Sequence, residues 1–247
     1  AGKTRSYLFA AYNLALRAEG DPQAPAALIP FQIEHNPVAG IKAIPVKAGD
    51  RTLNLEELRA FIGKLEDCIA DDAIRLAVYA GGQRPQQVLR LKISDFDPQT
   101  DTLRLLDPKG RRAQPREHRL PLAPVAAGIV KALVTRAREV RPDDADPLLF
   151  NSRGDFVVSL TTLSKRVTEL STAMGGASFN LRDLRRSVET ELASMGVSVD
   201  IRAQLLSHGL GGVQARHYDR HSYAKEKGIA LERWERHLDG KEENGKV

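Results

Sequence analysis

The sequence predicts a mainly α-helical fold with one small antiparallel β-sheet, on three observations. Apolar residues return every three to four positions in segment after segment. A single stretch, DTLRLLDPKGRRAQPREHRLPL, carries the pattern of two short strands around a Pro-Lys-Gly turn. No internal repeat is present, so a solenoid or propeller is out.

Thr4 to Arg17 reads as an amphipathic helix with Leu8, Tyr12, Leu14 and Leu16 among its apolar positions. EGDPQAPAALIPFQIEHNPVAGIKAIPVKAGDRT is rich in Pro and Gly and lacks periodicity, as a linker would. Asn54, with Glu57 three positions on, resembles a capping box that opens a helix through LEELRAFIGKLEDCIA. A further helix is expected from Asp72 to Ala80, a break at GGQRP, and a short helix in QQVLRL. After the hairpin come helices at Pro124–Val140, in SLTTLSKRVTELSTAM, at Arg182–Met195 and at Val199–Leu206, with Gly196 as a C-cap between the last two. YAKEKGIALERWERHL is helical again, and DGKEENGKV is polar enough to be disordered.

With 247 residues the chain holds one large domain or two modest ones, by a prior of roughly 150 residues each. No apolar run approaches the roughly 18 residues of a membrane span. The single cysteine, Cys68, excludes an internal disulfide framework and a multi-thiolate zinc site. Arg17 and Glu19 interrupt any secretory h-region, and a start in mid-pattern without methionine reads as a fragment of an intracellular protein. The net charge is +5, and the sixteen residues from Arg104 to Arg119 hold six basic side chains against two acidic ones. That local excess of four suits a polyanionic partner, although a solvated loop would look the same.

Three constellations could carry chemistry. In AGGQRPQQVLRLKISDFD, two glycines precede Arg84 and a proline follows it, holding the guanidinium at a helix start. In NLRDLRRSVET, Arg182 and Arg185 lie three apart on one helix face while Arg186 points elsewhere. LLSHGLGGVQARHYDRH places His208 after an apolar helix and Tyr218 ten residues on. Each has a plain alternative: a surface arginine beside a turn, arginines paired to carboxylates, a surface aromatic. Together they match the needs of metal-free phosphodiester cleavage that conserves the bond for resealing. A side-chain oxygen must attack, and fixed cations must neutralise the transferring phosphoryl group. Arginine binds two phosphate oxygens at once and keeps its proton, whereas the departing 5′-oxygen needs a proton that a lysine can give. Lys109 is the only lysine of the basic hairpin.

These four segments, in this order over residues 50 to 220, resemble the motifs of the tyrosine recombinases, the phage-integrase family of site-specific DNA recombinases. The resemblance implies a catalytic domain of that fold over residues 49–247, ending in a C-terminal helix and polar tail. Residues 1–48 resemble the end of the family's helical core-binding domain plus a linker. It implies Arg84 and Arg185 as phosphate clamps with His208, Lys109 as the general acid, and Tyr218 as the nucleophile forming a 3′-phosphotyrosine link. Arg182 belongs to the same set, and Arg111, Arg112, Arg116 and Arg186 are expected to bind DNA. It further implies double-stranded recombination sites as partner, a homotetramer assembled through the C-terminal helix, a cytoplasmic, nucleoid-associated protein of bacterial or phage origin, and a reaction without metal, ATP or other cofactor.

Three positions depart from the family pattern. Arg182 stands where histidine is usual, and a permanent cation can stabilise phosphate or lower a tyrosine pKa from about 10 but cannot act as a base. Gln87 stands where glutamate is common, and the interval from His208 to Tyr218, with Gly211 and Gly212, is one residue longer than usual. Lesser candidates are Tyr223 as a competing nucleophile, His217 and His221 beside Tyr218 as substitutes for the missing histidine, and His118 as a contact to the phosphate backbone or, more simply, a side chain that meets Glu117 or solvent. Cys68, near Ile69 and Phe61 on a helix, reads as a packed thiol. Trp234, Leu231 and Leu238 form an apolar stripe that could dock on a neighbouring protomer or on the chain's own core.

Gly2-Lys3-Thr4 ahead of a helix resembles the end of a phosphate-binding loop, but the upstream glycine of that motif is not in this sequence and Arg104 is out of place in TLRLLD as a magnesium-binding strand, so nucleotide hydrolysis is not expected. No carboxylates stand near the motifs at metal-ligand spacing. Two rival functions remain open: a catalytically weakened DNA-binding or regulatory relative, favoured by Arg182, and an enzyme like a type IB topoisomerase.

Overall fold

The computed structural model describes residues 2–45, 49–107, 116–142, 146–150, 156–207 and 222–241. The chain divides into two compact units, Ala1–Gly49 and Asp50–Val247. In the first, α1 (Gly2–Leu16) is followed by a 3-10 turn at Ala26–Phe31 inside the expected linker. No residue of α1 is buried. Its partner loop is held by Arg5 Nε on the Ile41 carbonyl at 2.6 Å and by Asn36 Nδ2 on the Phe9 carbonyl at 3.0 Å.

The second unit is helical around a three-stranded antiparallel sheet, the predicted fold class. Asn54 caps α2 (Leu55–Gly63), and its capping box with Glu57 is fully formed. The helix expected to continue through Cys68 stops at Gly63, and α3 (Ile69–Tyr79) begins three residues before Asp72. The break has a cause: the Asp71 carboxylate turns back to accept the Glu66 amide at 2.8 Å, while Arg75 Nη2 donates to the Leu65 carbonyl at 3.1 Å. Cys68 is therefore the extended N-cap of α3, half-buried, rather than a helical residue. Eight of the eleven residues of α3 are buried, which makes it the central helix of the core.

After the short α4 (Pro85–Val88), β1 (Phe96–Asp97), β2 (Thr102–Asp107) and β3 (Arg116–Pro121) form the sheet in order β1-β2-β3. The hairpin register pairs Leu103 with Leu120 and Asp107 with Arg116. Leu103, Leu105, His118 and Leu120 face the core, the two-residue period of a half-buried sheet. Strand β1 is too short to show alternation in the sequence.

Helices α5 (Pro124–Val140), α6 (Leu160–Met174), α7 (Leu181–Ser194) and α8 (Val199–Leu205) lie within a residue or so of expectation. Gly196, at φ 76°, follows the α7 C-cap as foreseen. α9 (Ala224–Leu238) ends the described fold. Its stripe of Leu231, Trp234 and Leu238 is buried in the chain's own core, with Trp234 Nε1 donating to the Val78 carbonyl at 2.9 Å. Polar bonds reinforce that docking. Glu235 accepts the Val125 and Ala126 amides at the start of α5, Tyr79 donates to Asp239, and Arg59 donates to the last carbonyls of α9. The stripe is thus packed on the chain's own core, one of the two options its spacing left open.

Candidate active site

Arg84 is presented by a turn built on two glycines. α3 ends at Tyr79 with Ala80 as its C-cap, and Gly81 and Gly82 follow at φ 80° and 79°, a left-handed pair that residues with a Cβ rarely adopt. Gln83 then donates its backbone N–H to the Ala77 carbonyl at 2.8 Å and its side-chain amide to Ala80 and Leu205 carbonyls at 2.7 and 3.0 Å. Pro85 holds Arg84 extended, at φ −64° and ψ 127°, as N-cap of α4.

The second arginine box is set by α7. Asn180 and Asp183 form a capping box, and Leu184, Val188 and Leu192 bury one face. Beside that face lie exposed Arg182 and half-buried Arg185. Arg185 donates Nη1 to the Gly82 carbonyl at 2.6 Å and Nη2 to the Leu206 carbonyl at 2.7 Å. One guanidinium therefore ties the glycine turn to the end of α8, two residues before His208.

Arg84, Arg90, Arg182 and Arg185 line one cleft of about 760 Å³. No Asp or Glu lines it among the described residues. Four cations in one concave wall, without carboxylates, make a site for a polyanion. Gln87 also lines it, buried, with both polar atoms of its amide closed to solvent and lacking a hydrogen-bond partner among the described residues. A glutamate there would place a negative charge among the arginines, and glutamine does not.

Arg186, expected to bind DNA, faces away from this cleft. It pairs with the buried Asp183 at 2.6 Å and donates to the Arg51 carbonyl at 2.9 Å, which anchors α7 to the chain before α2. His118 meets neither the Glu117 carboxylate nor solvent as foreseen. It is buried, and its Nε2–H donates to the Leu205 carbonyl at 3.1 Å, while Glu117 pairs with Arg119. Lys109, His208, Tyr218, Arg111, Arg112, His217 and His221 lie outside the described residues, as does the Arg116 side chain. Tyr223 is the N-cap of α9 in a left-handed conformation.

Sequence reasoning missed two convergences. Gln83, His118 and Arg185, from the turn, β3 and α7, all reach the carbonyls of Leu205 and Leu206 at the end of α8. Lys227, buried on α9, donates to the Arg119 carbonyl on β3. Among the described residues, no group of three or more His, Cys, Asp or Glu stands together as metal ligands would, and no helix is long and apolar enough to cross a membrane.

The model of the phage integrase family matches residues 51–225, which include both arginine boxes, the hairpin and the start of α9. The chain belongs to the phage integrase family. It is a tyrosine recombinase by that membership, in a family of DNA recombination and integration. No curated protein matches it. Among solved structures, the integrase from mycobacterium phage Brujita is 17% identical with a TM-score of 0.58, covering 98% of this chain and 78% of its own. XerA recombinase is 18% identical with a TM-score of 0.53, covering 73% and 68%. XerH site-specific recombinase, solved bound to its difH substrate, is 24% identical with a TM-score of 0.52. That likeness covers 72% of this chain, which spans about half of the XerH chain (53%). At these identities the structural likeness speaks for the fold.

Proposed function

We propose that this chain cuts and rejoins DNA strands at specific sites through a covalent 3′-phosphotyrosine intermediate. The observation that carries the reading is the cleft, lined by no carboxylate among the described residues, in which Arg84, Arg182 and Arg185, from segments about 100 positions apart, converge. In this reading a DNA phosphate lies in the cleft with its non-bridging oxygens on Arg84 and Arg185, assisted by His208. The Tyr218 oxygen attacks phosphorus as its proton passes to water, the P–O5′ bond breaks, and Lys109 protonates the departing 5′-oxygen. A 5′-hydroxyl of a second strand then attacks the phosphotyrosine, releases Tyr218 and restores a phosphodiester. The fixed guanidinium of Arg185 needs no reorganisation as charge builds up, the condition under which electrostatic stabilisation is largest. Residues 1–48 act as the end of a DNA-clamping domain, Arg111, Arg112 and Arg116 bind backbone, and four copies act on paired sites. Phosphate contacts dominate the affinity, which falls steeply with salt.

A DNA duplex bearing the recombination site, nicked beside the scissile phosphate, tests the reading. A covalent protein–DNA adduct that disappears in Tyr218→Phe supports it. Tight binding with no adduct supports instead a DNA-binding module weakened in catalysis, the reading that Arg182 in the cleft favours because it replaces a potential proton acceptor with a fixed cation.

A further inference from the structure

The motif arginines account for three of the four cations that line the cleft among the described residues. Arg90 is the fourth, and no motif claims it. It follows α4 by one residue beyond the Leu89 C-cap, is exposed, and its guanidinium has no hydrogen bond or ion pair among the described residues, only its backbone amide donating to the Gln87 carbonyl. The cleft is also lined by the α6 residues Ser164 and Thr168. The Thr168 hydroxyl is spent on the Ser164 carbonyl at 2.9 Å, one turn back. The Ser164 hydroxyl has no such bond among the described residues, so it is the one available at that wall.

A cleft of about 760 Å³ is several times larger than one phosphate group fills, given that a water occupies about 30 Å³. We propose that Arg90 and Ser164 form a second phosphate seat in this cleft, gripping a neighbouring backbone phosphate of the DNA strand whose scissile phosphate sits at Arg84 and Arg185. The proposal rests on the DNA-cleavage reading above and adds a contact to it. The Arg90 fork covers two non-bridging oxygens, and the Ser164 hydroxyl donates to one of them. A seat on one phosphate leaves a strand free to pivot. Two seats fix the direction in which it crosses the cleft, without reading its bases.

The test needs no knowledge of the recombination site, because backbone contacts act on any duplex. A labelled 40-base-pair duplex of arbitrary sequence is titrated by fluorescence anisotropy from 50 to 300 mM KCl. For Arg90→Ala the slope of log affinity against log salt becomes shallower by about one, the loss of one phosphate contact. Arg138→Ala, an exposed α5 cation outside the cleft, leaves the slope unchanged. Ser164→Ala weakens binding about three- to tenfold in the wild-type background, and not at all in Arg90→Ala, because the two share one phosphate. Thermal melts matched to wild type confirm that the variants are folded. An unchanged slope in Arg90→Ala, or effects of the two substitutions that simply multiply, overturns the second seat. Loss of the tyrosine adduct with the Arg90–Ser164 coupling intact overturns the cleavage reading instead and leaves the seat standing.

Discussion

Arg185 Nη1 donates to the Gly82 carbonyl at 2.6 Å across 103 positions of sequence, and its Nη2 reaches the Leu206 carbonyl at 2.7 Å. The two arginine boxes are therefore one mechanical unit. The residue proposed to clamp phosphate also fixes the turn that presents the other clamp.

Arg185→Lys should lose both properties. An ammonium cannot span two carbonyls with planar geometry, and hydrogen bonds to a charged donor contribute about 1.5–3 kcal/mol each. Urea unfolding should show a loss of about 2–3 kcal/mol. Adduct formation should fall at least about a hundredfold. Retained stability with activity lost would mean that Arg185 serves the phosphate alone.

Gly82→Ala should be more damaging than Gly81→Ala. Both glycines have φ near 80°, but a Cβ on Gly82 would lie 3.1 Å from the Val188 Cβ and 3.4 Å from the Arg185 carbonyl. At Gly81 the closest atom, 2.8 Å away, is the Leu231 Cδ2, the terminal methyl of a buried side chain rather than a Cβ or backbone atom. Gly82→Ala should cost about 2–3 kcal/mol, combining left-handed strain with an unyielding contact. Thermal denaturation of the two variants side by side measures the difference.

Gln87→Met removes a buried amide with no partner among the described residues and nearly conserves volume. An unsatisfied buried polar group costs about 1–3 kcal/mol, so the substitution should raise stability by about 1 kcal/mol. A drop in the urea midpoint would show that the amide has a partner in solution.

How far the sequence could be read depended on range. Capping at Asn54, the α5 and α6 periods and the hairpin are local, and each follows from a few neighbouring residues. The stop of α2 at Gly63 depends on Asp71 reaching back to Glu66, which helical periodicity does not encode. The pairing of Arg84 with Arg182 and Arg185 was legible from motif order. Arg186, His118 and Arg90 were not, because their partners or cleft neighbours come from other elements. An arginine in VLRL looks the same whether it faces solvent or DNA.

Acid should unfold the protein partly through Asp71. Burial pushes its carboxyl up, but the hydrogen bonds from Arg166 and the Glu66 amide outweigh burial and hold it below the usual carboxylate range. A depressed carboxyl stabilises the fold above its unfolded value of about 3.9 and gives up that contribution as pH falls through the folded value. The Asp71–Arg166 pair joins α3 to α6 with Asp71 fully buried, so Arg166→Met should cost about 3–5 kcal/mol. The same variant should flatten the stability profile below pH 4, as urea titrations between pH 3 and 7 would record.

The most direct measurement traps the protein on a nicked recombination site, digests it and locates the nucleotide adduct by mass spectrometry. The account expects a phosphodiester on the Tyr218 oxygen, abolished in Tyr218→Phe and strongly reduced in Arg84→Ala. An adduct on Tyr223, or binding of the same DNA with no covalent product, would contradict it.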